Sequence, residues 1–558
     1  MAMLKPPSLS KPFLSLFFLL LRKLAGRRHH HRGRQMATAA ATKPIPPPPP
    51  LPGLLDRLHG RTLVIDVEAW ILRPPVRAFP YFMLVAVEAG GFLRGLLLLL
   101  LYPLLCLLGA RAARAMAAVA LVGLDEEEVA RVGRAVLPKF FLEAAAAEGV
   151  AAARAAARVV AVSATFPRVM VDGFLREYVG VDAVVGPEVR SVGGVVAGLV
   201  DEEEDAEMAA KRLRALFGGG ELETAVVGKK DVTGGGAVGL VGAASSGRVH
   251  YLFSPYYCKE TFAVSEADAR GWRPLPRESY PRPLIFHDGR LAFTPTPPAA
   301  LAMYTFLPFA LALVAFRTVA FSFLPYRLCF PVGALTGMHY RLVAGGHVPA
   351  AGSAVGAGGR LYVCNHRTLL DPVIVAAALG KPVTAVTYSL SPVSELIAPI
   401  RTARLTRDRD EDQRNMAAVL ARGDHLVVCP EGTTCREEYL LRLSPLFAEL
   451  GVDANPVALD TRVGMFYGTS TKPGHKWMDP FYFMMNPSPA YRVEFLPPAG
   501  GVAAEGGRRG DSIEVANRVQ RELGRALGFQ LTGLTRKDKY MTLAGNEGVV
   551  PAAPKNQS

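Results

Sequence analysis

The sequence predicts an α/β protein of two domains joined through apolar helical segments, and three observations carry that reading. Arg61-Thr-Leu-Val-Ile-Asp-Val-Glu-Ala-Trp70 is an apolar run ending in an acid. It reads as a strand of a parallel sheet that presents Asp66 at its C-terminal end. From Leu361 to about Leu496 strand-like and helix-like segments alternate, the pattern of a second α/β unit. Between the two lies Leu291 to Phe316, which carries no charge and is long enough to cross a bilayer. A chain of 558 residues also exceeds one typical domain.

Residues 1–55 contain no acid: an apolar run from Phe13 to Leu21 leads into a basic tract and then Pro46 to Pro50. This reads as a disordered leader, a mitochondrial presequence or a signal-anchor. Residues 56–290 form the first domain, interrupted by the apolar segment 81–110. The uncharged part of that segment, Gly95 to Ala110, is 16 residues, short of the ~20 a helical span needs. Strands resume with Arg158 to Ser163, Val181 to Val185 and Thr224 to Val227, and Arg111 to Phe217 is rich in alanine and charge, as covering helices are. If strands before and after segment 81–110 share one sheet, both ends of the segment lie on one side of a membrane. That arrangement calls for a helical hairpin or an in-plane anchor, against the alternative of an ordinary core helix. Residues 291–330 are expected to form membrane-embedded helices, where Pro295, Pro297, Pro298 and Pro308 predict breaks or a hairpin. Residues 331–548 form the second domain, with a Gly/Ala-rich loop at Gly345 to Gly359. Asp511 to Leu527 places Val515, Val519, Leu523 and Leu527 on one helical face, a core-packing stripe. Residues 549–558 read as a disordered tail.

Composition narrows the partners. Half the residues are hydrophobic, a share suited to membrane-embedded segments. The formal charge of +14 suits anionic partners such as phospholipid head groups or a phosphorylated substrate. The arginines are not interleaved with aromatics and no nucleic-acid motif is present, so nucleic acid is discounted. The six cysteines form no CxxC pair. They read as reduced thiols or small hydrophobes, with no metal site.

The chemistry is concentrated in Leu361-Tyr-Val-Cys-Asn-His-Arg-Thr-Leu-Leu-Asp-Pro372. An apolar strand delivers His366, and after four intervening residues comes Asp371. One side chain can act as base and the other can orient it, on a single strand-to-helix turn. Acyl transfer from a thioester to an alcohol needs such a base, a stabilised oxyanion and a held acceptor. Asn365, Arg367 and amides of the next helix start are candidates near the oxyanion or phosphate. No serine or cysteine nucleophile stands out, so direct attack by the acceptor hydroxyl is the simpler scheme. Three further blocks come later in the chain: the guanidinium-rich Arg404-Leu-Thr-Arg-Asp-Arg409, the strand and tight turn Val427-Val-Cys-Pro-Glu-Gly-Thr-Thr-Cys-Arg436, and the short strand Asn455-Pro-Val-Ala458.

In this order NHRTLLD, LTRDR, CPEGTTCRE and NPVA resemble the four blocks of the glycerolipid acyltransferase superfamily. Longer strings, among them YFMLVAVEAGGFLRG, YPRPLIFHDGRLAF, CPEGTTCREEYLLRLSPLFAEL and TRKDKYMTLAGNEG, resemble the land-plant glycerol-3-phosphate acyltransferases of cutin, suberin and anther lipid synthesis. The similarity covers roughly residues 60 to 548. It implies a haloacid-dehalogenase-like N-terminal domain of Rossmannoid type and a glycerolipid-acyltransferase C-terminal domain. It implies transfer from fatty acyl-CoA, as co-substrate, to glycerol 3-phosphate, largely at sn-2, with no cofactor. It implies a membrane protein with membrane lipid as partner, in the endoplasmic reticulum, with the mitochondrion as alternative. It implies His366 and Asp371 as the catalytic pair, and Arg407, Arg409, Glu431, Gly432, Thr433 and Arg436 as the acceptor grip.

The resemblance also sets a phosphatase pattern that this sequence departs from. Asp66 stands where a nucleophile is needed, but the second position holds Glu68, one methylene too long, and Ala69-Trp70 replace a small turn. Ser163 or Thr165 can serve the second motif, and Lys229 or Lys230 the lysine. No aspartate lies between Asp231 and Asp268 to hold magnesium. Losing a ligand and misplacing a proton donor predict a silent phosphatase site and lysophosphatidic acid as product. The alternatives are a lysophospholipid acyltransferase, a bifunctional enzyme giving 2-monoacylglycerol, and a non-catalytic membrane scaffold.

Overall fold

The structure, a computed structural model, describes residues 51–200, 240–245, 258–343, 359–387, 398–468, 471, 475–499 and 509–547. The leader through Pro50, the expected strand Thr224 to Val227, Lys229, Lys230 and the tail 549–558 lie outside the described residues.

Strands β1 (Thr62–Asp66), β2 (Arg158–Val162), β3 (Ala183–Val185), β4 (Leu240–Ser245) and β5 (Cys258–Val264) build a parallel sheet of order β3-β2-β1-β4-β5. Leu63, Val64 and Ile65 of β1 are buried in sequence, as a strand covered on both faces requires. Asp66 closes β1 at the C-terminal edge.

Helices α1 (Ala78–Glu88) and α2 (Phe92–Cys106) leave β1 and the chain returns to its neighbour β2, so both ends of the apolar segment 81–110 serve one sheet. The segment divides in two. Phe82 to Val87 of α1 are wholly buried, so this helix is apolar all round because it is core. The outward apolar face belongs to α2, where Leu93, Leu100 and Leu104 are exposed.

Helix α3 (Pro297–Phe323) runs unbroken for 27 residues. The predicted breaks do not form. Pro297 and Pro298 sit in the first turn, where no amide donor is needed, and so start the helix; Pro308 is accommodated inside it. Leu301, Phe309, Phe316, Val319 and Phe323 are exposed along α3. It is the one described helix long and apolar enough to cross a membrane. The charged exception, Arg317, is fully buried and donates to the carbonyls of Met484 (2.5 Å), Asn486 (2.7 Å) and Thr336. Helix α4 (Tyr326–Leu335) comes next.

The second sheet has seven strands: β6 (His339–Val343), β7 (Leu361–Cys364), β8 (Val383–Thr387), β9 (Arg401–Arg404), β10 (His425–Val428), β11 (Ala454–Arg462) and β12 (Ala490–Phe495). Their order is β9-β8-β10-β7-β11-β12-β6. The first five in that order are parallel; β12 runs antiparallel to β11, and β6 parallel to β12. Helices α5 (Asp371–Leu379), α6 (Arg409–Ala421), α7 (Asp479–Met485), α8 (Arg509–Leu527) and α9 (Arg536–Ala544) complete the unit. The α8 stripe packs as the sequence predicts, with Val515, Val519 and Leu523 buried and Leu527 packed against them. β7 lies mid-sheet, and the turn at its carboxyl end occupies the crevice where α/β sheets place their ligands.

Candidate active site

Val363 and Cys364 end β7 in full burial, and the chain turns at once into α5. Asn365 pins the turn. Its side-chain amide donates to the Leu459 carbonyl and accepts from the Leu459 amide, both at 2.8 Å, tying β7 to β11. Asn365 is thus a structural clamp, and its amide is spent.

His366 is the next residue. Its Nδ1 lies 2.8 Å from Asp371 Oδ2. Asp371 is fully buried at the first position of α5, and its Oδ2 also accepts from the amides of Arg367 (2.6 Å) and Thr368 (3.1 Å). Its Oδ1 accepts from the Tyr491 hydroxyl at 2.6 Å. The carboxylate is satisfied without a second cation, and it holds the imidazole so that Nε2 is left to take a proton. Burial pushes the His366 pKa down, but the Cys429 sulfur and the Asp371 carboxylate outweigh it, and the net direction is well above the ordinary value.

Cys429 stands beside the ring: ligand-type atoms of His366, Asp371 and Cys429 all lie within 4.8 Å of one another. The Nδ1–Oδ2 hydrogen bond already uses the atoms a metal ion would need. The Cys429 thiol lies 3.4 Å from the Cys364 thiol. That contact, with burial, pushes its pKa well above the ordinary value, while His366 pulls it down.

The third block wraps over this turn. Glu431 is buried; its Oε1 accepts from the His366 amide at 2.7 Å and its Oε2 from the Leu441 amide at 2.9 Å. Burial raises its pKa to about 7 against the pull of those two bonds. Gly432 adopts φ 68°, a left-handed turn that favours glycine. Cys435 returns the contact, its amide donating to the His366 carbonyl at 2.8 Å.

Two buried guanidinium groups face a small pocket beside the dyad, lined also by Thr368, Thr461, Tyr467 and Asp479. Arg367 Nη1 donates to the carbonyls of Cys435 and Glu437, each at 2.7 Å, and its plane lies over Phe529. Arg436 Nη1 donates to the Gly289 carbonyl at 2.8 Å and the group lies over Tyr467. Arg367 Nε and Arg436 Nη2 are buried with no hydrogen-bond partner among the described residues; the nearest acid to the latter, Asp288, is 3.8 Å away. Donors left unspent in a buried guanidinium are what an anionic ligand would complete.

Comparison with known proteins gives the family. Residues 62–264 match a family model described as the HAD-like domain of RAM2-like glycerol-3-phosphate acyltransferases, and residues 347–460 match an acyltransferase model. The chain is 44% identical over 500 residues to the probable glycerol-3-phosphate acyltransferase 2 of Arabidopsis thaliana, covering 88% of this chain and 91% of that protein. It is 45% identical over 503 residues to glycerol-3-phosphate acyltransferase 1 of the same plant, covering 88% and 82%. It is 38% identical to glycerol-3-phosphate acyltransferase RAM2 of Petunia hybrida, covering 86% and 96%. The chain belongs to the glycerol-3-phosphate acyltransferase family.

Within this acyltransferase the expected acceptor residues do not gather as one group. Glu431 and Arg436 stand at the dyad and the pocket. The hydroxyl of Thr433 lies 3.4 Å from the buried ammonium of Lys539, which also donates to the Thr434 carbonyl. Arg407, at φ 74°, and Arg409 lie just beyond the edge strand β9. That edge is three strands from β7, about 14 Å at ~4.8 Å per strand. Arg409 forms an ion pair with Glu449. Sequence reasoning missed Tyr491, Asp479 and Lys539. Asp479 accepts from the Leu369 amide at 2.9 Å, and burial raises its pKa. Burial also lowers the pKa of Lys539 to about 8. Of these only Lys539 falls in a string that carries the resemblance, TRKDKYMTLAGNEG.

At the other sheet, Asp66 Oδ1 accepts from the Ala69 amide at 2.9 Å. Glu68 turns onto the loop after β2. Its carboxylate accepts from the Ser163 hydroxyl (2.7 Å) and from the amides of Thr165 (3.0 Å) and Ala164 (3.3 Å).

Proposed function

We propose that this protein transfers a fatty acyl group from acyl-CoA to a hydroxyl of glycerol 3-phosphate and releases lysophosphatidic acid and coenzyme A. The observation that carries the reading is the pocket beside the His366–Asp371 dyad, where Arg367 and Arg436 keep unspent donors. The pocket is about 10 Å³, so the acceptor must widen it on binding; a phosphate between Arg367 and Arg436 would then complete both guanidinium groups, with the glycerol hydroxyl toward the imidazole. His366 Nε2 takes the hydroxyl proton as the oxygen attacks the thioester carbonyl. Asp371 stabilises the imidazolium that forms. The tetrahedral intermediate collapses, the C–S bond breaks, and the leaving sulfur takes the proton from His366, which releases coenzyme A as the thiol and restores the neutral imidazole. Glu431 and Gly432 shape the turn rather than touch the acceptor.

The sn-2 hydroxyl and a role in extracellular polyester or anther lipid synthesis rest on the family resemblance alone, as does the endoplasmic reticulum over the mitochondrion. Contact with a bilayer rests on α3, which at ~1.5 Å per residue is about 40 Å long, and on the exposed leucines of α2. The N-terminal site is read as silent. Glu68 occupies the hydroxyl and amides of Ser163, Ala164 and Thr165 that a phosphate oxygen would need.

The test is an assay of the full chain in membranes with glycerol 3-phosphate, or with lysophosphatidic acid, and a panel of acyl-CoAs. Product regiochemistry and free phosphate are read together. Acylation of glycerol 3-phosphate without phosphate release is expected, and His366→Ala should lower kcat by ~10²–10⁴-fold. Full activity in that variant, or acylation of lysophosphatidic acid alone, would overturn the reading.

A further inference from the structure

The third block is gripped from two sides. On one side Arg367 donates to the carbonyls of Cys435 and Glu437. On the other, the side chain of Glu437 turns into the N-terminal domain. Its Oε1 accepts from Lys139 Nζ at 3.0 Å and its Oε2 from Arg277 Nη2 at 2.7 Å. Lys139 stands on the helix Leu137–Ala144, whose Phe140, Phe141 and Leu142 are buried in the N-terminal core. Arg277 stands on the chain that leaves β5. The Glu437 side chain is only 6% exposed, so its charge depends on those two partners. The Cys435 thiol reaches the Ile285 carbonyl at 3.5 Å, and Cys435, Tyr439 and Leu441 belong to the same apolar cluster as the N-terminal sheet.

We propose that the haloacid-dehalogenase-like domain works as a positioning element for the acyltransferase site, with Lys139 and Arg277 holding Glu437 and thereby setting Arg436. Arg436 is the neighbour of Glu437 and itself donates to the Gly289 carbonyl, so both side chains of the pair are held from the N-terminal half. The proposal rests on the reading of Arg367 and Arg436 as the grip on the acceptor phosphate. A domain without catalysis of its own is then retained because the acceptor pocket is built against it.

The experiment compares the full chain with Lys139→Met, Glu437→Gln, their double variant and Lys139→Arg. KM and kcat are measured for glycerol 3-phosphate and for acyl-CoA. Lys139→Met should raise the acceptor KM about tenfold, with the acyl-CoA KM unmoved. Glu437→Gln should do the same. The double variant should be no worse than Glu437→Gln alone, because that change already removes the contact Lys139 makes, and Lys139→Arg should restore the acceptor KM. A change in folded fraction alters apparent kcat and leaves KM alone, so loss of stability cannot mimic this result. An unchanged acceptor KM in both single variants, or independent additive losses, would overturn the proposal. If the wild-type chain acylates a different phosphorylated acceptor, the proposed substrate fails, and the same comparison on that acceptor still decides the role of Lys139.

Discussion

Asp371 accepts hydrogen bonds from one ring nitrogen, two amides and one hydroxyl, and under the proposed mechanism each of these is a lever on the reaction. The imidazole must be neutral to act as base, and its pKa is raised well above the ordinary value. Activity is therefore low below that raised pKa and increases as pH climbs through it. The acidic limb of kcat/KM should lie above ~6.5, the unperturbed histidine value. Asp371→Asn removes the carboxylate that favours the imidazolium, so the limb should move to lower pH while kcat falls by ~10²-fold or more. A pH–rate profile of both proteins checks this; a limb that stays in place would sink it. Tyr491→Phe removes one bond to the same carboxylate and should lower kcat about three- to tenfold, the worth of one hydrogen bond of ~1 kcal/mol. The spacing of His366 and Asp371 was readable because both lie on one turn. Tyr491 was not, because it lies 120 residues from Asp371 and reaches it by the placement of β12 two strands from β7.

Among the elements, α3 shows what an apolar pattern conveys and what it leaves open. Its length and lack of acid were legible, and its continuity was misread, because proline position within the first turn decides whether proline starts a helix or breaks it. Segment 81–110 was similar. Apolarity marked both helices, but only tertiary packing separates buried α1 from outward-facing α2. The guanidinium cluster after β9 was legible as charge, and its distance from the dyad was not, since strand order is not written in local sequence. Arg317 fixes α3 to the rest of the protein through three carbonyls and the Thr336 hydroxyl. Arg317→Leu suits an apolar helix by composition yet leaves buried carbonyls unpaired. It should cost about 2–4 kcal/mol, read as a lower midpoint for detergent-solubilised unfolding. Thermal stability equal to wild type would show that those carbonyls find other partners.

Across the whole molecule, two family models describe two domains, but the apolar core does not stop between them. One cluster runs from Leu63 and Ile65 of β1 through Phe140 and Phe141 to Cys435, Tyr439, Leu441, Phe466 and Leu543. The third block and helix α9 thus belong to the acyltransferase by sequence and to the N-terminal core by packing. Independent domains bury separate cores and melt separately. A shared core makes exposure of either half cost apolar burial in both, at ~25 cal/mol per Å². The acyltransferase half, expressed from residue 291 onward, should therefore fail to fold into active enzyme, since Cys435, Tyr439 and Leu441 would lose their covering. The N-terminal sheet and the third block should unfold together, with a probe in each reporting the same midpoint. Two separated midpoints, or an active fragment beginning at residue 291, would show that the acceptor loop stands without its neighbour.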